Sequence, residues 1–255
     1  MISKRMLFII LWLIGMIGVL STIWIALPIP AEELPLPLIA VKLLNLILPT
    51  FLLSIAVLVG VNLASKVGLS APFIEALASS VQQPILSIKP QVIPGLVGGV
   101  VGGVAISALS FFWRSSLPDD FVAKAEALSS NTPLLTRILY GGITEEILMR
   151  WGLMSLLVWA AWQVFQKAQG SPDTVYVVLA IGVSAIAFGL GHLPLAFTLS
   201  SQATASLVTY IIVGNAFFGM IGGYLYWQKG LEAAIIAHAT VHLVMAAIDH
   251  LKSFR

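Results

Sequence analysis

The chain lacks cysteine altogether, and charge is scarce: 9% of its 255 residues are Asp, Glu, Lys or Arg, where a soluble domain carries about 25%. The missing cysteine excludes a disulfide framework, a thiol nucleophile and thiolate metal sites, and says little about compartment. With 59% hydrophobic residues and a mean hydropathy of +1.01, the composition excludes an ordinary soluble domain and fits a polytopic membrane protein. The net charge of +2 comes with no basic cluster, so nucleic acid is not expected as a partner. No long polar segment could form a separate soluble domain. The expectation is an all-α transmembrane bundle, surrounded by membrane lipid and residing as a multi-pass protein in the cell (inner) membrane.

Apolar runs predict seven spans. Lys4 and Arg5 precede the first, 6–27, which at about 33 Å as a helix is too long for a signal-peptide core and is read as retained. A short polar turn at 28–37 holds Glu32 and Glu33. The second span, 38–63, carries Lys42 near its end and Pro49 as a candidate kink. Residues 64–91 read as a loop with an interfacial helix. The third span, 92–113, repeats glycine at 95, 99 and 103 and at 98 and 102, a spacing that lets helices approach closely in lipid. Residues 114–131 form a surface loop or short helix. The fourth span, 133–166, is long enough to tilt or protrude. The fifth, 174–192, ends at His192 with Pro194 closing it, before a serine- and threonine-rich loop at 195–205. The sixth, 206–227, has close-packing glycines at 219 and 223. The seventh, 231–248, is followed by a short basic tail. Lys4, Arg5, Lys66, Lys89, Lys167 and Lys229 share one side, which places the amino terminus in the cytoplasm by the positive-inside rule.

The fourth span contains Glu145, Glu146 and Arg150 within six residues, with Arg137 near its start. Each such charge at mid-bilayer costs roughly 2.5–3.5 kcal/mol on insertion scales, so it persists by pairing, by facing a wet cavity or by carrying function. Glu146 and Arg150 are four apart and can form an ion pair on one helical face. Glu145 points about 100° away and has no local cation.

Candidate partners for Glu145 are histidines. His238 and His242, four apart, project from one face of the seventh span, a spacing that suits a metal ion or a shared water. His192 closes the fifth span behind Gly189 and Gly191, where little bulk blocks a neighbouring helix. A carboxylate and neutral imidazoles around one water are the parts needed to deprotonate it and to stabilise an oxyanion. The alternative is structural: an intramembrane histidine also serves as a helix-to-helix hydrogen bond. His250 reads as a surface residue. The His-Glu-x-x-His metalloprotease signature is absent, and four histidines are too few for a di-iron oxygenase.

Three motifs, Glu145-Glu146-Ile147-Leu148-Met149-Arg150, Phe188 to His192, and His238-Ala239-Thr240-Val241-His242, follow one another on successive apolar spans. In this order they resemble the CPBP family, which includes type II CAAX prenyl endopeptidases, bacteriocin-processing proteins and abortive-infection proteins. The resemblance covers about residues 133–250. It implies that Glu145 is the general base activating water, that His192 holds or polarises that water, and that His238 stabilises the oxyanion. Glu146 and Arg150 would brace the site. The family usually has asparagine or aspartate where this chain has His242. A neutral imidazole donates one hydrogen bond, as the amide does, so His242 keeps an oxyanion-stabilising role. The same change makes His192, His238 and His242 candidate ligands of a divalent metal such as zinc. Met149 stands where the family often has phenylalanine.

The sequence thus predicts an intramembrane endopeptidase cutting a peptide or membrane-protein substrate in a cavity between the fourth, fifth and seventh spans. Residues 1–131 would form an N-terminal transmembrane region and 132–255 the catalytic core. Two other readings use the same residues: a catalytically silent partner or immunity protein, and a proton or metal transporter. A transporter is expected to show repeat-related broken helices, and no such pair is found. A silent member is expected to have lost Glu145 or a histidine, and this chain has kept them.

Overall fold

The computed structural model describes residues 3–27, 36–79 and 81–252. Most of the turn expected at 28–37, with Glu32 and Glu33, lies outside them, as does Arg255 of the basic tail. Seven helical segments are long and apolar enough to cross a membrane: Lys4–Trp24, Leu38–Val67, Lys89–Ser116, Leu134–Phe165, Thr174–Leu199, Ala205–Lys229 and Leu231–Lys252. They are the first to seventh spans below. No strand occurs among the described residues. The spans are apolar on nearly every face, as lipid requires. Large side chains such as Ile93, Phe111 and Phe112 therefore remain exposed on the outside of the bundle.

What holds the spans together is close approach at small residues, since lipid supplies no hydrophobic drive between helices. The third span packs most extensively on the seventh, and the sixth on the fifth. A Cβ added at Gly99 would lie 2.4 Å from the Thr240 Cβ and 2.5 Å from the Ala237 carbonyl oxygen. Gly95 and Gly103 meet the same helix, while Gly98 faces the sixth span and Gly102 sits between the sixth and the seventh. Gly219 fits against the Ala185 backbone of the fifth span.

The largest apolar core lies between the first, second and fourth spans, around Leu11, Leu53, Trp151 and Met154. Thr144 crosses this seam and donates to the Gly15 carbonyl at 2.8 Å. A second apolar cluster, including Phe188, Phe218, Ala237 and Val241, joins the fifth, sixth and seventh spans beneath the candidate site.

One local expectation is met and three are corrected. The kink expected from Pro49 is present, as a break at Asn45–Leu46 between Leu38–Leu44 and Ile47–Leu63. The proline ring excludes the carbonyl four residues earlier, which is that of Asn45. The helix Pro72–Ala78 does not lie apart at the interface: Ile74 and Ala78 are buried in the main core, and Glu232 accepts from the Ile74 N–H at 2.9 Å. The fifth-span helix Thr174–Gly191 ends at His192 as expected, but the loop expected at 195–205 begins as helix, which Pro194 opens. Residues Leu193–Leu199 are helical with the proline in their first turn, where its missing N–H costs nothing. The seventh span runs on to Lys252, so His250 is an exposed residue on its last turn.

The glycine seam gives the first test. Gly99→Val should lower stability by about 1–3 kcal/mol, the cost of overpacking a tight contact, read as earlier thermal unfolding in detergent. Gly182→Val is the control, because a Cβ at Gly182 meets nothing within 4 Å.

Candidate active site

The fourth span departs from the α-helix expected for it. Residues Arg137–Glu145 and Ile147–Met154 are wound as π-helix, with backbone hydrogen bonds running five residues back, a rare form that is frequent at functional sites. The wider turn brings residues five apart into line, and Tyr140 and Glu145 both face one cavity. In α-helical spacing they would stand about 140° apart.

Glu146 is fully buried and holds two partners. Its Oε2 accepts from Arg150 Nε at 3.0 Å, and its Oε1 accepts from His238 Nδ1 at 2.9 Å. The ion pair expected within the fourth span is therefore present, and it reaches the seventh span as well. A carboxylate only accepts hydrogen bonds, so the His238 Nδ1 must carry a proton. The Arg150 guanidinium lies 5.6 Å from the Phe188 ring centroid, a cation–π contact in a desolvated setting. Gly222 leaves the room: a Cβ there would stand 3.0 Å from Arg150 Nε. Arg150 Nη1 and Nη2 are buried with no hydrogen-bond partner.

Glu145, the neighbouring carboxylate, has no hydrogen-bond or ion-pair partner among the described residues. It lines a partly open cavity of about 380 Å³ together with His192, His238 and His242. The structure thus brings all four residues to one space, while pairing His238 with Glu146 rather than with Glu145. His192 Nδ1 donates to the Phe188 carbonyl at 2.8 Å, so in the neutral ring the proton sits on Nδ1 and Nε2 is an acceptor. The rings of His238 and His242 stack at 5.0 Å and 18°, and Phe188 and Phe218 flank His238. His242 Nε2 is buried without a partner and presses on Gly141, where a Cβ would come within 2.5 Å of it.

The cavity is wider than a three-helix site. Besides the fourth, fifth and seventh spans, it takes Ile106 and Leu109 from the third and Tyr210, Asn215 and Phe218 from the sixth. The glycine seams draw those two spans in. Tyr140 and Asn215 were not singled out in the sequence. Asn215 carried a usable signal, an amide inside an apolar span, whereas Tyr140 is aligned with Glu145 only by π winding.

Among the described residues, no three His, Asp or Glu side chains converge as metal ligands. The residues as arranged do not fit a three-histidine zinc site.

Removing one partner of a buried ion pair typically costs about 3–5 kcal/mol. Glu146→Gln should destabilise by that order in detergent unfolding. Adding Arg150→Met should recover most of the loss, because no guanidinium then stays buried and uncompensated. Glu145→Gln, which breaks no contact, should stay within about 0.5 kcal/mol.

Residues 128–244 match the model of a protein family described as Rce1-like, Type II CAAX prenyl endopeptidase Rce1-like. No curated protein and no solved structure is matched. The matched segment runs from the surface helix Asp119–Asn131 into the seventh span and contains Glu145, Glu146, Arg150, His192, His238 and His242. Through the segment that builds this site, the chain is similar to the type II CAAX prenyl endopeptidases.

Proposed function

We propose that this protein is an intramembrane endopeptidase that hydrolyses a peptide bond with water activated by Glu145. The observation that carries this reading is the contrast between adjacent carboxylates. Glu146 is sealed and doubly bonded, whereas Glu145 is unpaired in a cavity that it shares with three histidines. A desolvated polar wall around one unpaired base is what proton abstraction from water requires.

In this mechanism Glu145 takes a proton from water as the oxygen attacks the substrate carbonyl carbon. His192 Nε2 accepts the water's other hydrogen and orients it. In its imidazolium form His238 donates from Nε2 to the developing oxyanion while its Nδ1–H stays bonded to the Glu146 carboxylate. His242, stacked on His238, supplies a second donor on that wall. Collapse of the tetrahedral intermediate breaks the C–N bond, and the proton held by Glu145 passes to the leaving amine. The chemistry falls to residues 132–255, and residues 1–131 support it through the glycine seams. No step runs through a metal ion.

The test is cleavage of a peptide library by the purified protein in detergent. Glu145→Ala should reduce a specific cleavage by at least about 100-fold, the lower range for a general base, with thermal stability unchanged, and a chelator should have no effect. Product patterns identical in wild type and variant, or no cleavage by either, would instead favour a silent membrane partner. Loss of cleavage with chelator would make the histidines metal ligands.

A further inference from the structure

An extended peptide carries a donor and an acceptor at almost every residue, and each needs a partner once water is stripped from it. In many peptide-binding sites an exposed strand edge supplies those partners. No strand occurs among the described residues, and the spans engage their own N–H and C=O groups within their helices. Backbone recognition in this cavity must therefore come from side chains.

The hydroxyl and amide side chains on the cavity wall are those of Thr132, Thr136, Tyr140, Tyr210 and Asn215. Three of them are already engaged. Thr132 donates to the Leu128 carbonyl at 2.7 Å, Thr136 donates to the Ser21 carbonyl at 3.2 Å, and Tyr210 is hydrogen-bonded to the Ser110 hydroxyl at 2.8 Å. Tyr140 makes no hydrogen bond among the described residues. Asn215 makes one, from Nδ2 to the Ile211 carbonyl of its own helix at 2.8 Å, which leaves its second N–H and its Oδ1 free. Unpartnered polar groups are costly in an apolar bundle. Both of these can donate as well as accept, as a peptide group does.

Their placement suits a bound chain. Tyr140 shares the fourth-span wall with Glu145. Asn215 comes from the sixth span, three residues before Phe218, whose ring centroid lies 4.4 Å from that of His238. One group thus belongs to the wall of the base and the other to the wall next to the histidines, and the mechanism uses neither. We propose that Tyr140 and Asn215 bind the backbone of the substrate peptide and hold it extended between the two walls. This rests on the reading of the cavity as a protease site, but backbone binding can be tested apart from cleavage.

Because the backbone is common to all peptides, the probe needs no known substrate. It is a decapeptide of alternating valine and serine, capped at both ends and carrying an uncharged fluorophore. A companion set replaces each central amide in turn by an ester, which removes one N–H and weakens one carbonyl as an acceptor. Binding is measured by anisotropy, corrected for protein-free micelles, on detergent-purified Glu145→Ala protein, alone or combined with Tyr140→Phe or Asn215→Leu. Cleavage is followed in parallel on the protein with Glu145. Each added substitution should weaken the all-amide peptide about three- to tenfold, the net value of one hydrogen bond. On the Glu145→Ala protein two ester positions should lose a similar factor. Tyr140→Phe should erase the penalty at one of them and Asn215→Leu at the other. Ester penalties that are the same in all three proteins, variants that bind the all-amide peptide as tightly as their parent, or no binding at millimolar concentration overturn the proposal. Penalties that depend on Tyr140 and Asn215, without cleavage, keep the backbone site and discard the protease reading; cleavage without them does the reverse.

Discussion

One carboxylate organises the centre of this bundle. Glu146 accepts from Arg150 on its own span and from His238 on the seventh, so a guanidinium and an imidazole N–H converge on a single buried anion. In a low-dielectric interior such a group is tolerable only when both oxygens are satisfied. That requirement fixes the rotation of the fourth span and its register against the seventh. Glu145 follows from it: once its neighbour faces inward, Glu145 is turned into the cavity. Phe188 serves the same arrangement twice, with its ring against Arg150 and its carbonyl against His192.

Around this polar centre, attraction is short-ranged. The third, fifth, sixth and seventh spans meet where Gly99 and Gly219 let backbone approach side chain or backbone. The cavity walls are thus set by contacts that tolerate no added methyl group, and the apolar cluster around Phe218 and Val241 closes the space beneath His238. Rigidity of this kind holds three imidazoles in fixed orientations.

Much of this was legible in the sequence because a bilayer makes two signals strong. Apolar runs of span length mark the seven crossings, and any ionisable residue within them stands out, as Glu145, Glu146, Arg150, His192, His238 and His242 do. Three features were not legible. A span that is apolar all round has no hydrophobic face to reveal its winding, so the π segments around Tyr140 and Glu145 left no periodic trace. Which of two adjacent glutamates meets His238 depends on a rotation of about 100°, which only packing settles. Pro194 reads equally as the end of one helix and the start of another, and the outcome turns on the short segment Leu193–Leu199 finding a place beside the helix Asp119–Asn131.

The two bonds to Glu146 differ in their separation along the chain, four residues to Arg150 and 92 to His238. Synthesis proceeds from the amino terminus, so the fourth span exists well before the histidine that completes the network. During that interval the local pair can neutralise both of its charges within a single helix, at a fraction of the cost of two separate ions in lipid. The span can therefore be accommodated in the bilayer as an almost neutral segment, and the arrival of the seventh converts a provisional pair into the finished centre. The Glu–Arg spacing is, in this respect, a device for biogenesis as much as for the folded state.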